Sequence, residues 1–451
     1  MKQQFSKTER KIKIYFLLQA KAFLPSWDSF LKACKNDPRI STKIIYCPPI
    51  KPKEGWSGQF DETEKWLKEK GFDYVHFNKI NLLIDRPDVL FYQTPYDATH
   101  RNAKNNTDKM KLLGFNLAYI SYGLEFTEAR HNIWAHFEIP IHKNCWRIFS
   151  FCQNILEDYG KYCPIGNKHV RCVGHPKFDA LYEAKNIKMP EWLRDKVNGR
   201  KIICWHPHFP FNYSTKDEEN VILTFPWKEN LKILEYIKND KENFYIFMPH
   251  HIFFGAFEHD FGVTKEEIEQ FKNQLNKGEN SIIWEDEYPE VLQWSDMFMG
   301  ERSAVTMEMT TTGKPVIYLE NAPEIYNEFG KDVINSYYYA SNAQEALDYL
   351  DKIKQGVDPK REERQKVFDK YFLPYWDGKC GERIKDEILK SKDELKTSIL
   401  RIIFNYIKAF LILFSKIFVN LEIKTRPEVT HLHIVLFTFI KFKIKKEDRH
   451  E

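Results

Sequence analysis

Short apolar runs alternate with amphipathic stretches of helical period over most of the chain, and their order sets the architecture. Runs at 12–18, 43–46, 74–77, 89–92, 117–120, 146–151 and 170–173 predict strands, with helices between them such as 27–34 and 62–70. A strand–helix rhythm of this kind implies a parallel sheet covered by helices on both faces. A second series begins at 202–205, continues at 244–248, 281–284 and 297–299, and ends at 316–318. Two such series in succession predict an α/β protein of two Rossmann-like domains facing a cleft. The pattern turns Lys-rich and helical between Asp179 and Arg200, so the domains are drawn at 1–180 and 181–395.

Beyond 395 the pattern changes. From 399 to 419 apolar and aromatic residues fill most of the helical circumference, and Arg401, Asn405, Lys408, Ser415 and Lys416 make one narrow polar stripe. A second apolar segment, 433–440, runs into Lys441, Lys443, Lys445 and Lys446. An amphipathic tail at 396–451 with basic flanks suits association with an anionic membrane surface, each cation contributing about 1 kcal/mol near such lipid. A helix pair packed on its own domain or on another subunit is the alternative. No apolar run approaches the roughly 18 residues that span a bilayer.

Composition narrows the class. The chain has 451 residues, 43% of them hydrophobic, and a formal net charge of +4, which gives no reason to expect a nucleic-acid partner. Eight cysteines form no CxxC pair, which fits reduced thiols in a cytoplasmic protein and argues against a zinc site. The expected location is cytoplasmic, peripheral on the inner face of the cell membrane. Self-association is left open.

Candidate chemistry concentrates where strands end. Segment 295–318 reads as strand, turn, helix, strand: Met297-Phe298-Met299 ends at Gly300, Ser303 caps a helix running through Thr312, and Gly313-Lys314-Pro315 closes it. Arg302 and the hydroxyls of Ser303 and Thr306 beside that helix start suit a phosphate or diphosphate, and Glu308 could accept from a pair of ribose hydroxyls. The same spacing also describes a capped unit that binds nothing.

Tyr119-Ile120-Ser121-Tyr122-Gly123-Leu124-Glu125 ends a strand of the first series, making Tyr122, Glu125 and His131 candidates for an acceptor site. In Val173-Gly174-His175-Pro176-Lys177-Phe178-Asp179, Lys177 could face an anion across the cleft, or the segment could be a junction turn with Asp179 as a helix cap. Trp205-His206-Pro207-His208 and Met248-Pro249-His250-His251 end two strands of the second series and bring histidines to one sheet edge. For these, contact with phosphate ranks above a role as base, and base above metal ligand, since no carboxylate has matching spacing.

With these signatures in order, the chain resembles the CDP-glycerol glycerophosphotransferase family, which makes teichoic acid and related phosphate-containing capsular polymers. The resemblance covers roughly 85–390 and is most specific at 295–318. It extends to the Gly174-x-Pro176-Lys177-x-Asp179-x-Leu181 segment, the Pro249-His250 step, and Asp377-Gly378-Lys379 with Glu382-Arg383-Ile384.

Membership implies a GT-B architecture, with donor nucleotide in the carboxy-terminal domain and acceptor in the amino-terminal one. It implies that His250 contacts the donor phosphates, Ser303 the diphosphate and Glu308 the ribose. Arg302, Ala304, Thr306, Lys177 and His206 are the further donor-binding candidates. Many members carry His-Gly-Thr where this chain has Tyr122-Gly123-Leu124, and an unperturbed tyrosine is a poor base at neutral pH. Glu125, His131 or His208 is then left to take the acceptor's proton.

The implied reaction moves a polyol phosphate, most simply glycerol phosphate, from a CDP-linked donor to a hydroxyl of a glycan or lipid-linked acceptor, releasing CMP. No resident cofactor or metal is expected, although a divalent cation stays open. A GT-B glycosyltransferase using a nucleotide sugar, and a catalytically silent nucleotide-binding subunit of a surface-polymer assembly, are the competing readings.

Overall fold

The computed structural model describes residues 10–48, 58–97, 101, 104–210, 212–213, 221–395, 403–404, 407 and 410–411. The first sheet has seven parallel strands in the order β3-β2-β1-β4-β5-β6-β7, formed by β1 (Ile12–Leu18), β2 (Ile40–Tyr46), β3 (Tyr74–His76), β4 (Val89–Tyr92), β5 (Leu117–Ile120), β6 (Arg147–Ser150) and β7 (Val170–Cys172). The second has six parallel strands in the order β12-β11-β8-β13-β14-β15, with β8 (Lys201–His206), β11 (Asn243–Phe247), β12 (Ser281–Ile283), β13 (Met297–Gly300), β14 (Val316–Leu319) and β15 (Tyr338–Ala340). A short antiparallel pair, β9 (Asn212–Tyr213) and β10 (Val221–Ile222), branches from the loop after β8.

Both sheets reverse strand order beside their first strand, between β1 and β4 and between β8 and β13, the position where doubly wound folds open a crevice. The strands are nearly continuous apolar runs because both faces are covered: β4, β5, β13 and β14 are buried throughout. Trp205, Phe247, Phe253 and Phe271 centre the second core.

The first core contains Phe16, Phe30 and Phe91 and also Ile384 and Ile388, from the helix Cys380–Lys390. Boundaries drawn at 181–395 leave that helix with the second sheet, whereas in the fold it returns to the first. Asp179 explains how: its carboxylate accepts from the backbone N–H of Cys380 (2.9 Å) and Gly381 (2.8 Å), capping the returning helix. Gly174 lies under the same join at φ 83°, where a Cβ would sit 2.6 Å from Cys380 Sγ.

The described residues up to 395, apart from 112–114, make one compact unit, and 112–114 group separately with the described residues beyond 395. The predicted amphipathic tail falls largely outside the described residues. Those described there are helical, and Ile403, Phe404, Ile407 and Phe410 are exposed. Among the described residues no helix is long and apolar enough to cross a membrane.

Candidate active site

The site is built where β8 and β13 part. His206 ends β8, and its Nδ1 lies 2.6 Å from the Met248 carbonyl, which requires Nδ1 to carry the proton. Nε2 is then an acceptor, 3.1 Å from Ser303 Oγ. Burial lowers the His206 pKa to about 4, so the ring is neutral.

Ser303 is the N-cap of the helix Ala304–Glu308, its Oγ accepting from the Thr306 N–H at 3.0 Å. Thr306 donates its own hydroxyl to the Glu301 carbonyl at 2.6 Å and is fully buried. A Cβ at Gly300 would stand 2.7 Å from that threonine hydroxyl, so glycine is what lets the strand close on the helix. The helix predicted through Thr312 tightens to a 3₁₀ turn at Met309–Thr312. There, Thr311 and Thr312 donate back to the carbonyls of Glu308 and Met309 at 2.7 and 2.8 Å.

His208 and His250 face each other with ring centroids 4.6 Å apart, and Phe209 lies against both. His208 Nδ1 donates to the Phe209 carbonyl at 3.0 Å, whereas His250 Nδ1 accepts from the Ile252 N–H at 3.4 Å. The tautomers are therefore opposite: His250 carries its proton on Nε2 as a donor, and His208 presents a lone pair there. Burial holds the pKa of both well below the usual histidine value. Neither is a cation near neutrality, and His208 is too weakly basic to serve well as a proton acceptor.

Glu301, which sequence reasoning left without a role, holds this loop. Its buried carboxylate accepts from the backbone N–H of His208 (2.6 Å) and Phe225 (2.5 Å). Position in the sequence gave no signal for it, because its partners are backbone groups on distant segments.

Three expected donor contacts are occupied by protein. Arg302 forms a bidentate pair with Glu324 (2.9 and 2.8 Å), whose Oε1 also accepts from Asn132 of the first half at 3.0 Å. Glu308 is fully buried, with Lys177 Nζ 3.1 Å from one oxygen and the Tyr288 hydroxyl 2.5 Å from the other. Thr306 is turned inward as described. Arg302 therefore braces the two halves in this state and does not present an unengaged anion clamp.

From the first half, the Tyr122-Gly123-Leu124 turn meets the same helix: a Cβ on Gly123 would lie 3.5 Å from Ala304 Cβ. Tyr122 is tied to Tyr96 through their hydroxyls (2.9 Å), and burial holds its pKa well above 10. His175 donates from Nε2 to the Ser121 carbonyl at 2.7 Å and fixes the strand end behind the turn. Glu125 is buried, and its Oε2 has no hydrogen-bond partner. Burial raises its pKa to about 7, opposed by a hydrogen bond from Ser121. His131 lies close enough to Arg302 and Glu324 to feel both charges, and burial lowers its pKa.

Among the described residues no three His, Cys, Asp or Glu side chains cluster as a metal site. His250 Nε2–H can donate to an oxygen of an anion, and Ser303 can do so on giving up its hydrogen bond to His206; Glu125, after the facing turn, is a carboxyl whose pKa burial raises to about 7.

Two Rossmann-like sheets with the polar groups gathered at the second switch point make a GT-B-type fold. The family model for CDP-glycerol:poly(glycerophosphate) glycerophosphotransferase matches residues 152–390, more than half of the chain, and the chain belongs to that family. It is accordingly an enzyme of the CDP-glycerol glycerophosphotransferase class.

Among solved structures, the fold is similar to the wall teichoic acid polymerase TagF at TM-score 0.53 and 13% identity, covering 86% of this chain and 90% of that one. A TagF variant soaked with CDPG matches at TM-score 0.52 and 13% identity, covering 87% and 92%. The UDP-GlcNAc 2-epimerase of Neisseria meningitidis, bound to UDP-GlcNAc, matches at 0.53 and 13%, covering 84% and 100%. A search of curated proteins returns no match.

Proposed function

We propose that the enzyme transfers glycerol phosphate from CDP-glycerol to a hydroxyl of a glycan or lipid-linked acceptor in synthesis of a teichoic-type or capsular surface polymer. The observation that carries this reading is the hydrogen bond between His206 and Ser303 at the second switch point, with His208 and His250 facing each other after β8 and β11, in a chain of this family. The donor lies over the second sheet, its diphosphate taking hydrogen bonds from His250 Nε2–H and from Ser303, whose hydroxyl turns to it from His206 Nε2. The acceptor lies over the first.

In the reaction the acceptor oxygen bonds to the phosphorus of the glycerol phosphate, the P–O bond to CMP breaks, and CMP leaves with the electron pair. Glu125 takes the acceptor's proton. Its unpartnered oxygen and near-neutral pKa favour it over His131 and His208, whose pKa values are depressed. Catalysis then rests on alignment and fixed dipoles in a site of low dielectric, with no resident cofactor. The exposed Ile403, Phe404, Ile407 and Phe410 fit a peripheral position on the inner face of the cell membrane, where a lipid-linked acceptor would be met.

The test is CMP release by the purified protein from CDP-glycerol, with and without a lipid and glycan extract, beside a panel of UDP- and CMP-sugars. Acceptor-dependent release from CDP-glycerol alone is expected. Turnover of a nucleotide sugar would make it a glycosyltransferase, and nucleotide binding without turnover a silent subunit.

A further inference from the structure

The Glu308 carboxylate is inaccessible in this state, and the groups that cover it come from both halves of the fold. Lys177 lies in the first turn of the helix Pro176–Ala184, which packs on the helix Pro289–Trp294 of the second half. Tyr288 is the N-cap of that second helix, at the end of the loop after β12. Lys177 Nζ reaches one Glu308 oxygen at 3.1 Å, the Tyr288 hydroxyl reaches the other at 2.5 Å, and the ammonium also lies 5.8 Å from the centre of the tyrosine ring. Glu308 is 0% exposed, Lys177 is buried beside it, and Tyr288 is only partly buried.

A carboxylate has lone pairs for more than two donors, so hydrogen-bonding capacity does not keep a ligand out. Access does. A ribose hydroxyl can reach Glu308 only where a covering group leaves, and Tyr288, the less buried of the two, is the one that can turn aside. Lys177 is the charge partner that a buried carboxylate cannot lose without a large penalty.

We propose that Tyr288 is a specificity-determining residue whose hydroxyl stands in for a donor ribose hydroxyl on Glu308 and is exchanged for it when a nucleoside diphosphate binds. This rests on the donor reading above. The exchange makes the net gain from the ribose small, because one hydrogen bond to Glu308 replaces another. It also ties nucleotide entry to movement of the loop after β12.

The experiment compares the affinities of CDP and 2′,3′-dideoxy-CDP for the full chain by titration calorimetry. In the wild type the two bind within a few-fold of each other. Tyr288→Phe removes the competing donor, and the preference for CDP over the dideoxy nucleotide rises by about tenfold or more, the scale of one hydrogen bond to a charged group. If Tyr288→Phe does not fold, Tyr288→Leu removes the same hydroxyl, and the same rise in the ratio is expected. The ratio is read because any change in affinity for the diphosphate affects both nucleotides alike. An unchanged or reduced ratio in the folded variant overturns the exchange while leaving CDP as donor. If the wild type binds neither nucleotide, the donor reading and the exchange fall together.

Discussion

The two sheets share a strand order and differ in what fills the switch point. In the first, Gln93 occupies it: its Oε1 accepts from the N–H of Gln19 (2.7 Å) and Ala20 (2.9 Å), and its amide donates to the Ala20 carbonyl at 3.0 Å. Thr94 and Arg101 complete that buried network, with Arg101 donating to the Thr94 carbonyl at 2.6 Å. The strand ends that bind nucleotide in a Rossmann crevice are there tied to one another. In the second, the equivalent position carries His206 and Ser303, with His208 and His250 beside them. One topology thus gives a scaffold in one half and a candidate site in the other, and the side chains at two strand ends make the difference. The unpartnered carboxyl oxygen of the first half lies elsewhere, on Glu125 after β5.

The sharpest way to break this division is at Glu125. Glu125→Gln is expected to lower kcat by about a hundredfold or more with donor affinity unchanged, measured by steady-state CMP release. A base must be deprotonated, so the wild-type rate rises with pH through about 7, and the variant loses that limb. The same shift has a stability consequence. The folded-state pKa lies above the unfolded one, so stability falls as pH rises from the ordinary carboxyl range through about 7. Glu125→Gln should therefore be more stable than wild type at pH 8, by roughly 3 kcal/mol, and no more stable at pH 4, as read from melting at the two pH values. Equal melting at both would mean that the charge is relieved by solvent.

Next in size is the second switch point. Ser303→Ala and His250→Ala are each expected to weaken CDP binding about tenfold in calorimetry, whereas Gln93→Ala should cost stability and leave CDP affinity unchanged. Asp179→Ala removes the cap on the returning helix and should cost about 2 kcal/mol in denaturant unfolding without altering CDP binding. The smallest effect concerns the tail. Truncation after Leu395 should reduce sedimentation with anionic liposomes at low salt and leave CMP release from a soluble acceptor intact.

Strand positions were legible because buried parallel strands are short apolar runs with clear ends: 12–18, 89–92 and 117–120 coincide with β1, β4 and β5. Edge strand β15 was missed, as Tyr338–Ala340 is only three residues long and follows a helix without a turn signal. The cap at Ser303 was legible from the glycine–serine spacing, and the histidines from their place after two strands. What could not be read was which polar groups are already engaged. Arg302 with Glu324, Lys177 with Glu308, and Glu301 with two backbone amides are pairings between distant segments, and local pattern carries no information about them. Glu308 was read as an open ribose acceptor for that reason, and Tyr288 was not singled out.

The most direct test is a crystal structure of the enzyme with CDP-glycerol. The diphosphate is predicted within hydrogen-bonding distance of His250 Nε2 and Ser303 Oγ at the β8–β13 switch point, with the first sheet's Gln93 network unchanged. CDP-glycerol bound over β1 and β4 with Gln93 displaced, or bound away from both histidine strands, would contradict the assignment of scaffold and site.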